Sequence, residues 1–229
     1  MKKVLSFSLW GDNPTYNIGA IKNAEMAPLF YPEFECWFYV HIETVPNTTI
    51  DALKQFNHVK IIIKEGDLSN ENCKPRMWRF EPIDDPEVEI MMVRDTDTRF
   101  LQRESLAVAE WMKSDKIFHI MRDHPHHGCV ILAGMFGSRK IPQIKSWSDI
   151  MNQYTQISTI NYDQDFLRDH IYPNIKDNAV IHASFHKKEI NCRDFPIKYD
   201  DEYRFVGEYV YFDESRSTWH IDELKRGCI

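Results

Sequence analysis

Short apolar segments of strand length alternate with helix-like segments along the first half of the chain. The predicted strands are residues 4–9, 36–40, 58–63 and 88–93, and the predicted helices are residues 18–29, 49–56 and 76–80. The strands are continuously apolar rather than strictly alternating, which is typical of a parallel sheet covered on both faces. The pattern therefore predicts an α/β fold with a mostly parallel central sheet and helices on both faces.

The second half of the chain is less regular. Its predicted helices are residues 104–113, 146–154 and 164–171, and its predicted strands are residues 117–121 and 130–136. The chain beyond Asn191 is predicted to be a further strand or a packed extension. No repeat, low-complexity tract or flexible linker interrupts these elements, so residues 1–229 are predicted to form a single domain.

Composition excludes several classes of protein. The chain has 28 Lys and Arg residues against 35 Asp and Glu residues, a net charge of −7, so a nucleic-acid partner is not expected. It has only 8 Gly residues, and none forms a G-x-G-x-x-G or G-x-x-x-x-G-K-[ST] motif. A phosphate ligand would therefore have to be held by some other device than a glycine-rich loop.

Targeting signals are not expected. The first apolar run lacks a small-residue cleavage site and is broken at residues 11–14, and no apolar stretch approaches membrane-spanning length. The 5 Cys residues are widely spaced and form no C-x-x-C pair, which fits reduced thiols. These features predict a cytoplasmic protein with no integral membrane segment, and they leave its oligomeric state open.

The segment with the clearest chemical content is Arg94-Asp95-Thr96-Asp97-Thr98-Arg99, directly after a predicted strand. In an open α/β sheet the ligand binds beyond the carboxyl ends of the strands, so this segment is expected in the cleft. Asp95 and Asp97 can converge on one hard divalent cation that keeps positions for phosphate, and Arg94 and Arg99 would moderate the charge or contact the ligand. The alternative is that the two aspartates are turn residues and helix caps.

This motif and three later segments together resemble the GT-A nucleotide-sugar glycosyltransferases. The segment Asp163-Gln164-Asp165-Phe166-Leu167 is similar to the D-Q-D-x-L segment of the glycogenin-like and lipopolysaccharide galactosyltransferase group. Leu132-Ala133-Gly134-Met135-Phe136 resembles the segment whose Ala-Gly or Gly-Gly pair lines the donor-sugar pocket. His182 with Lys188 resembles the H-x-x-G-x-x-K element, with Phe185 in place of the glycine. The set also resembles small GT-A-like proteins of microbes and large viruses.

The resemblance implies a Rossmann-like GT-A fold and a metal-dependent enzyme. Its reaction would move a hexosyl or deoxyhexosyl group from a UDP- or GDP-sugar to a glycan or other hydroxyl acceptor, with undetermined stereochemistry. Residues 1–100 would form the nucleotide-binding half, and residues 101–229 the acceptor-binding half with a C-terminal extension. The alternatives are a non-catalytic carbohydrate-binding protein and a glycoside hydrolase, which needs two carboxylates flanking the bond but neither metal nor nucleotide.

The resemblance also implies ligands for the cation. Asp95, Asp97 and His182 would bind the metal, with His186 as the competing imidazole. Imidazole favours Mn²⁺, with Mg²⁺ second. In the same way, Gly134 would lie at the donor sugar, and Lys188 would contact the diphosphate. Lys187 is an equal candidate for the last role.

Residues near the first strand and before the D-x-D segment would contact the nucleotide. Tyr16 would stack on a uracil or guanine ring while Asn17 or Asp12 binds its edge, or else Tyr16 packs on the following helix. Arg79 shares a helix face with Arg76 and is the preferred diphosphate contact. The alternative partners of Arg79 are the nearby carboxylates of residues 84 and 85.

Two aspartates and a group of histidines are candidates for the acceptor side. Asp163 and Asp165 are the predicted catalytic residues, acting on sugar hydroxyls or on the acceptor, and Asp163 is preferred because Asp165 also suits a helix cap. His124, His126 and His127 lack the spacing of a zinc site, because adjacent residues point in different directions. An acceptor-binding loop is the favoured interpretation of these histidines.

Overall fold

Residues 1–70, 73–156 and 160–228 are described in the computed structural model of the chain. The strands are β1 (Lys2–Leu9), β2 (Phe34–His41), β3 (Val59–Lys64), β4 (Val88–Arg94), β5 (Phe118–Arg122), β6 (Met135–Arg139), β7 (Ala179–Ala183) and β8 (Cys192–Arg193). The helices are α1 (Pro14–Phe30), α2 (Asn47–Leu53), α3 (Gln102–Met112), α4 (Trp147–Gln153), α5 (Tyr162–Phe166), α6 (Tyr172–Ile175) and α7 (Thr218–Gly227). A 3₁₀ segment covers Pro75–Asp84, and a π-helical turn covers Leu167–Ile171.

These strands form one sheet in the order β3-β2-β1-β4-β6-β5-β7-β8. All neighbouring strands are parallel except at β6, which is antiparallel to both β4 and β5. The predicted mostly parallel α/β sheet is confirmed. Because β1 lies between β2 and β4, the chain leaves β1 towards one side and later returns on the other. This arrangement creates a topological switch point beside the carboxyl ends of β1 and β4.

Both faces of the sheet are covered, which explains the continuously apolar strands. On one face Met91 packs in a core with Phe80 of the 3₁₀ segment and Trp147 of α4. On the other face its neighbour Met92 packs in a second core with Ala24 of α1 and Trp111 of α3. Adjacent residues of a strand point to opposite faces, so β4 contributes to both cores.

The predicted strand at residues 130–136 is wrong. The strand begins only at Met135 and runs to Arg139, and the preceding residues form a loop. Ile131 and Ala133 of this loop are buried in the core without being part of the sheet. Their apolar character reflects packing under the loop, whereas the true strand contains Gly137, which leaves room for the Trp111 ring.

The C-terminal region is a packed extension with little regular structure before α7. Residues 210 and 216 form one isolated bridge, and the N–H of Val210 donates to the carbonyl of Asp97 over 2.8 Å. The extension therefore closes over the loop that follows β4. None of the helices in the described parts of the chain has the length and apolar character needed to cross a bilayer.

Candidate functional site

A cleft of about 580 Å³ opens at the switch point of the sheet. Its walls come from the β1–α1 loop, the 3₁₀ segment, the loop after β4, the residues before β6 and the start of α5. The lining residues are Ser8, Leu9, Trp10, Gly11, Asp12, Asn13, Tyr16, Arg76, Arg79, Asp95, Thr96, Asp97, His127, Leu132, Ala133, Gly134, Met135, Asp163, Gln164 and Gly207. Segments far apart in the sequence therefore meet in one concave site.

Arg79 joins two of the predicted site residues. Its Nη1 forms an ion pair with Asp95, and its Nη2 lies 3.1 Å from Oδ2 of Asp163. The side chains of Arg79 and Asp163 are only 8% and 5% exposed, so this pairing is screened little by water. The backbone N–H of Arg79 donates to Oγ of Ser8 over 3.1 Å, which fixes the 3₁₀ segment to the end of β1.

The contacts of Arg79 differ from the predicted alternative. Neither Asp84 nor Asp85 is its partner; Asp84 instead accepts the backbone N–H groups of Trp147 and Ser148 over 2.9 and 2.7 Å at the start of α4. The Arg79 guanidinium lies instead in the cleft, where Asp95 and Asp163 are its partners. Burial raises the pKa of Asp163, and the charge of Arg79 opposes that shift.

Asp97 lies beside Asp95 in the same cleft. Burial, followed by the charge of Asp95, raises the pKa of Asp97 to about 7, while the charges of Arg79 and Arg99 lower it. Two carboxylates that repel each other at neutral pH in a partly buried cleft favour the approach of a cation. Their oxygen atoms are the ligands that Mg²⁺ and Mn²⁺ accept, and such ions are commonly held by one or two carboxylates together with substrate phosphates.

A metal site with His182 as third ligand is not formed. No group of three His, Cys, Asp or Glu side chains within the described ranges is arranged to hold a metal ion. His182 is fully buried on β7, where its Nδ1 lies 2.9 Å from Nε2 of His119 and its Nε2 lies 3.1 Å from a carboxylate oxygen of Glu110. Strands β6 and β5 separate β7 from β4, so the predicted role of His182 is wrong. Among the described residues of the cleft, Asp95 and Asp97 remain the predicted ligands of a cation.

Arg94 is also placed away from the cleft. As the last residue of β4 it points to the same face as Met92, where its Nε donates to Glu104 over 2.7 Å. Both side chains are 2% exposed, and Nη1 of Arg94 also donates to the carbonyl of Phe136 over 3.0 Å. The predicted ligand contact is replaced by a buried ion pair that fixes α3 to the sheet.

Two further predicted residues, Asn17 and Asp165, do not line the cleft. Asn17 is buried and donates to the carbonyls of Gly11 and Asn13, each over 3.0 Å, so it shapes the β1–α1 loop rather than a ligand pocket. Asp165 forms an ion pair with Arg168 over 2.6 Å, one turn along the helical region. Its neighbour Asp163, two residues earlier, points into the cleft instead.

Lys188 is exposed after β7 and does not line the cleft. The alternative residue, Lys187, forms an ion pair with Asp194 over 2.6 Å and is likewise outside it. His186 lies in the same segment, and its Nε2 is 2.6 Å from the carbonyl of Pro125. The cationic groups within the cleft are therefore Arg76 and Arg79 among its described lining residues.

Tyr16 and Gly134 both line the cleft. Their contacts with a nucleobase and a donor sugar stay predictions. The Tyr16 side chain is 38% exposed there, and burial together with the charge of Asp97 raises the pKa of its hydroxyl. Gly134 leaves room for Asp95, since a β-carbon at residue 134 would overlap the Asp95 carboxylate. The segment before β6 thus packs directly on the D-x-D loop.

Some cleft residues had no predicted role. Ser8 lines the cleft near the end of β1, but Ser6 in the same strand does not, so a serine in this strand was not by itself a signal of the site. Gln164 lies between the predicted catalytic residues Asp163 and Asp165, and it lines the cleft whereas Asp165 does not. His127 was assigned only to an acceptor-binding loop, and no local pattern distinguishes it from its neighbour His126.

The cleft lies at the switch point of a mostly parallel sheet, the position at which open α/β folds bind their ligands. The chain is similar in structure to a glycosyltransferase involved in the glycosylation of the major capsid of PBCV-1, with a TM-score of 0.49 and 11% identity over 80% of this chain and 82% of that one. It is also similar to an active-site mutant of LgtC, with a TM-score of 0.48 and 11% identity over 100% of this chain and 95% of that one.

No family model matches the sequence. No curated protein matches it at a significant level. At 11% identity these two likenesses concern the fold.

Proposed function

We propose that this protein is a metal-dependent glycosyltransferase that moves a sugar from a nucleoside-diphosphate donor to a hydroxyl acceptor. The observation that carries the proposal is the position of Arg79, which bridges Asp95 and Asp163 in the switch-point cleft beside Asp97. The cleft thereby combines a cation site, a fixed guanidinium and a buried carboxylate within one pocket.

The charge balance of the cleft requires a bound cation for this function. The ionisable lining residues described there are the carboxylates of Asp12, Asp95, Asp97 and Asp163 and the guanidinium groups of Arg76 and Arg79, apart from Tyr16 and His127. This excess of negative charge would repel a diphosphate. Asp95 and Asp97 would hold Mn²⁺ or Mg²⁺, which when bound stabilises the negative charge that develops on the leaving diphosphate.

Arg79 gives the cleft a positive charge at a fixed position. Its two ion pairs and its burial hold the guanidinium in one place, where its positive charge offsets part of the negative charge that Asp95 and Asp163 would present to a phosphate. The Nε of Arg79 is buried without a partner among the described residues. Arg76 lines the same wall and would add a second positive charge.

Asp163 is suited to hold a sugar hydroxyl. Its Oδ2 accepts from Arg79 over 3.1 Å, and its Oδ1 accepts from the backbone N–H of Gln164 over 3.0 Å. A carboxylate oxygen can accept two hydrogen bonds, so each retains one position for a substrate hydroxyl. The two protein contacts fix the carboxylate, and the substrate hydroxyl is oriented in turn.

The other end of the cleft fits a nucleobase. Trp10 lies there on the β1–α1 loop and Tyr16 in the first turn of α1, together with the side chains of Asp12 and Asn13. An aromatic face for stacking and polar groups for the edge of the ring are the parts that a uracil or guanine site requires. In the proposed complex the base would lie at the β1–α1 loop and the first turn of α1, and the diphosphate would lie at the D-x-D loop.

A glycoside hydrolase is less well supported by the same geometry. Such an enzyme needs two carboxylates that act independently, one as an acid and one as a base or nucleophile. Asp95 and Asp163 are instead tied to one arginine. The geometry fits charge neutralisation of a diphosphate better than acid–base cleavage of a glycosidic bond.

Calorimetric titration of the full chain with UDP- and GDP-sugars, with and without Mn²⁺ or Mg²⁺, tests the proposal. We expect binding of at least one of these donors that depends on the cation, and slow release of free sugar when donor and cation are both present. Asp95→Ala should weaken cation-dependent binding at least tenfold, the equivalent of about 1.4 kcal/mol.

The matched control is Asp169→Ala, because Asp169 is exposed, pairs with Arg168 and lies outside the cleft. It should bind as the wild type does. Absence of binding for every donor with either cation, or equal binding by both variants, would rule out the proposed function.

A further inference from the structure

His127 occupies a fixed position at one wall of the cleft. It follows β5 in a tight turn, in which its backbone N–H donates to the carbonyl of His124 over 2.9 Å. The turn is anchored by the fully buried Asp123, which accepts from Nε and Nη2 of Arg103 over 2.9 and 2.8 Å and from the N–H of Val206 over 2.9 Å. Charged and backbone partners from α3 and the C-terminal extension therefore hold this loop in place.

The imidazole of His127 has a defined hydrogen-bonding state. The backbone N–H of Asp123 donates to Nδ1 of His127 over 3.1 Å. Because Nδ1 accepts a hydrogen bond, it carries no proton, and a neutral imidazole must then carry its proton on Nε2. Burial and the neighbouring histidines lower the pKa of His127 to about 3, which keeps the ring neutral at physiological pH.

The protonated nitrogen is available to a ligand. The two ring nitrogens of an imidazole point in nearly opposite directions, so Nε2 is directed away from the Asp123 backbone. None of the described residues accepts a hydrogen bond from it. His127 lines the cleft, and its imidazole packs edge-on against the Phe205 ring, whose centre is 5.8 Å away and whose plane is inclined by 61°.

The position of this donor points to a particular part of the substrate. Phe205 lies beside the His127 ring, and Gly207, two residues later, packs against Met135, which follows Gly134 at the Asp95 carboxylate. Tyr16 lies in the first turn of α1, on a different segment of the cleft lining. A neutral N–H donor suits an uncharged hydroxyl better than a phosphate, for which charged donors give the stronger bonds. The group next to the diphosphate on this side is the sugar that is transferred.

We propose that His127 is a specificity-determining residue whose Nε2–H donates a hydrogen bond to a hydroxyl oxygen of the donor sugar. This inference rests on the proposed function, because it assumes that a nucleotide sugar occupies the cleft. His127 thereby selects sugars that carry a hydroxyl in reach of this wall. The residue acts in ground-state recognition and orientation of the sugar.

Two substitutions of His127 test the roles of its two ring nitrogens separately. His127→Asn keeps an acceptor near the position of Nδ1 for the Asp123 N–H and removes the group that reaches into the cleft. His127→Gln keeps an amide donor near the position of Nε2. His126→Leu is the control, because His126 is its exposed neighbour and does not line the cleft.

The measurements are the Kd values of the full chain for a nucleotide sugar and for the matching nucleoside diphosphate, both with Mn²⁺, and the KM for the acceptor. We expect His127→Asn to weaken nucleotide-sugar binding about tenfold and nucleoside-diphosphate binding less than twofold, as for one lost hydrogen bond. His127→Gln should retain most of the sugar contribution, and His126→Leu should match the wild type. Nucleoside-diphosphate binding also shows that each variant is folded.

Different failures are distinguishable. Equal losses for the nucleotide sugar and the nucleoside diphosphate, or a change confined to the acceptor KM, would overturn the role of His127 and leave the proposed function standing. Failure of the wild type to bind any nucleotide sugar would overturn both. Long-range ¹H–¹⁵N spectra of the histidines should show protonated Nε2 and unprotonated Nδ1 for His127 at pH 7, and the reverse tautomer would also overturn the inference.

Discussion

Gly134 and Asp95 are packed so closely that residue 134 cannot carry a side chain without displacing the carboxylate. A β-carbon there would overlap the Asp95 carboxyl group. The carboxylate is held from another side by the ion pair with Arg79. The loop before β6 and the 3₁₀ segment therefore confine Asp95 between them, and the absence of a side chain at residue 134 is a condition for this geometry.

The substitution Gly134→Ala should therefore impair binding of the donor. The added methyl group forces Asp95 away from Arg79, and we expect Mn²⁺-dependent binding of a nucleoside diphosphate to weaken at least tenfold, about 1.4 kcal/mol. Calorimetric titration measures the effect. Gly128→Ala is the matched control, since a β-carbon there would meet only the His186 ring at 3.9 Å. Identical affinities for the two variants would show that Asp95 is not confined as described.

Ionisation of Asp97 lowers the stability of the metal-free protein, whereas the proposed cation site requires the ionised carboxylate. Its pKa in the native state, about 7, exceeds its ordinary value of 3.8, so between these values the folded chain binds more protons than the unfolded chain. Stability of the metal-free protein should accordingly fall as the pH rises from about 4 to about 7. Asp97→Asn removes that loss and should be more stable than the wild type at pH 8 in the presence of a chelator.

Urea unfolding at pH 5 and pH 8 measures the difference in free energy of unfolding between Asp97→Asn and the wild type. The same measurement with added Mn²⁺ shows whether the substitution abolishes cation binding. The wild type should be stabilised by Mn²⁺ at pH 8, whereas Asp97→Asn should gain little. Asp169→Asn is the control, because Arg168 lowers the pKa of Asp169 and its removal should bring no gain at high pH. A variant at residue 97 that is less stable than the wild type at pH 8 would contradict the assigned shift.

Arg94 should act on stability and not on ligand binding. Arg94→Met leaves Glu104 buried without its cationic partner, and we expect the free energy of unfolding to fall by about 3–5 kcal/mol. Donor affinity, measured at a temperature where the variant is folded, should remain within a factor of two. The double variant Arg94→Met with Glu104→Leu should recover part of the stability. Loss of donor binding with unchanged stability would restore the ligand contact first predicted for Arg94.

The order of strands and helices in the first half of the chain was predictable from local pattern. Continuous apolar runs indicated buried parallel strands, and β1, β2, β3 and β4 lie within a few residues of their predicted ranges. The strand at residues 130–136 failed because apolar residues in a buried loop have the same pattern as a buried strand. β7 was not predicted as a strand, although Val180 and Ile181 follow the same apolar pattern.

Whether a predicted site residue lies in the cleft depends on its strand and on the face of the sheet to which it points. Alternation along β4 was sufficient to place Arg94 with Met92, on the face that α3 covers, and away from the cleft. His182 could not be placed in this way, because the distance of β7 from β4 is set by the order in which β6 and β5 pair between them. A motif match fixes neither of these relationships.

By itself, the sequence determined an α/β sheet and the presence of two carboxylates directly after a buried strand, because strand formation and chain adjacency are local. Only the tertiary structure decided that Arg79 contacts Asp95 and Asp163, the latter 84 residues away in the chain. It likewise decided that His127, and not His126, lines the cleft. These choices depend on strand pairing and core packing between distant segments, which position each side chain only once the sheet has assembled.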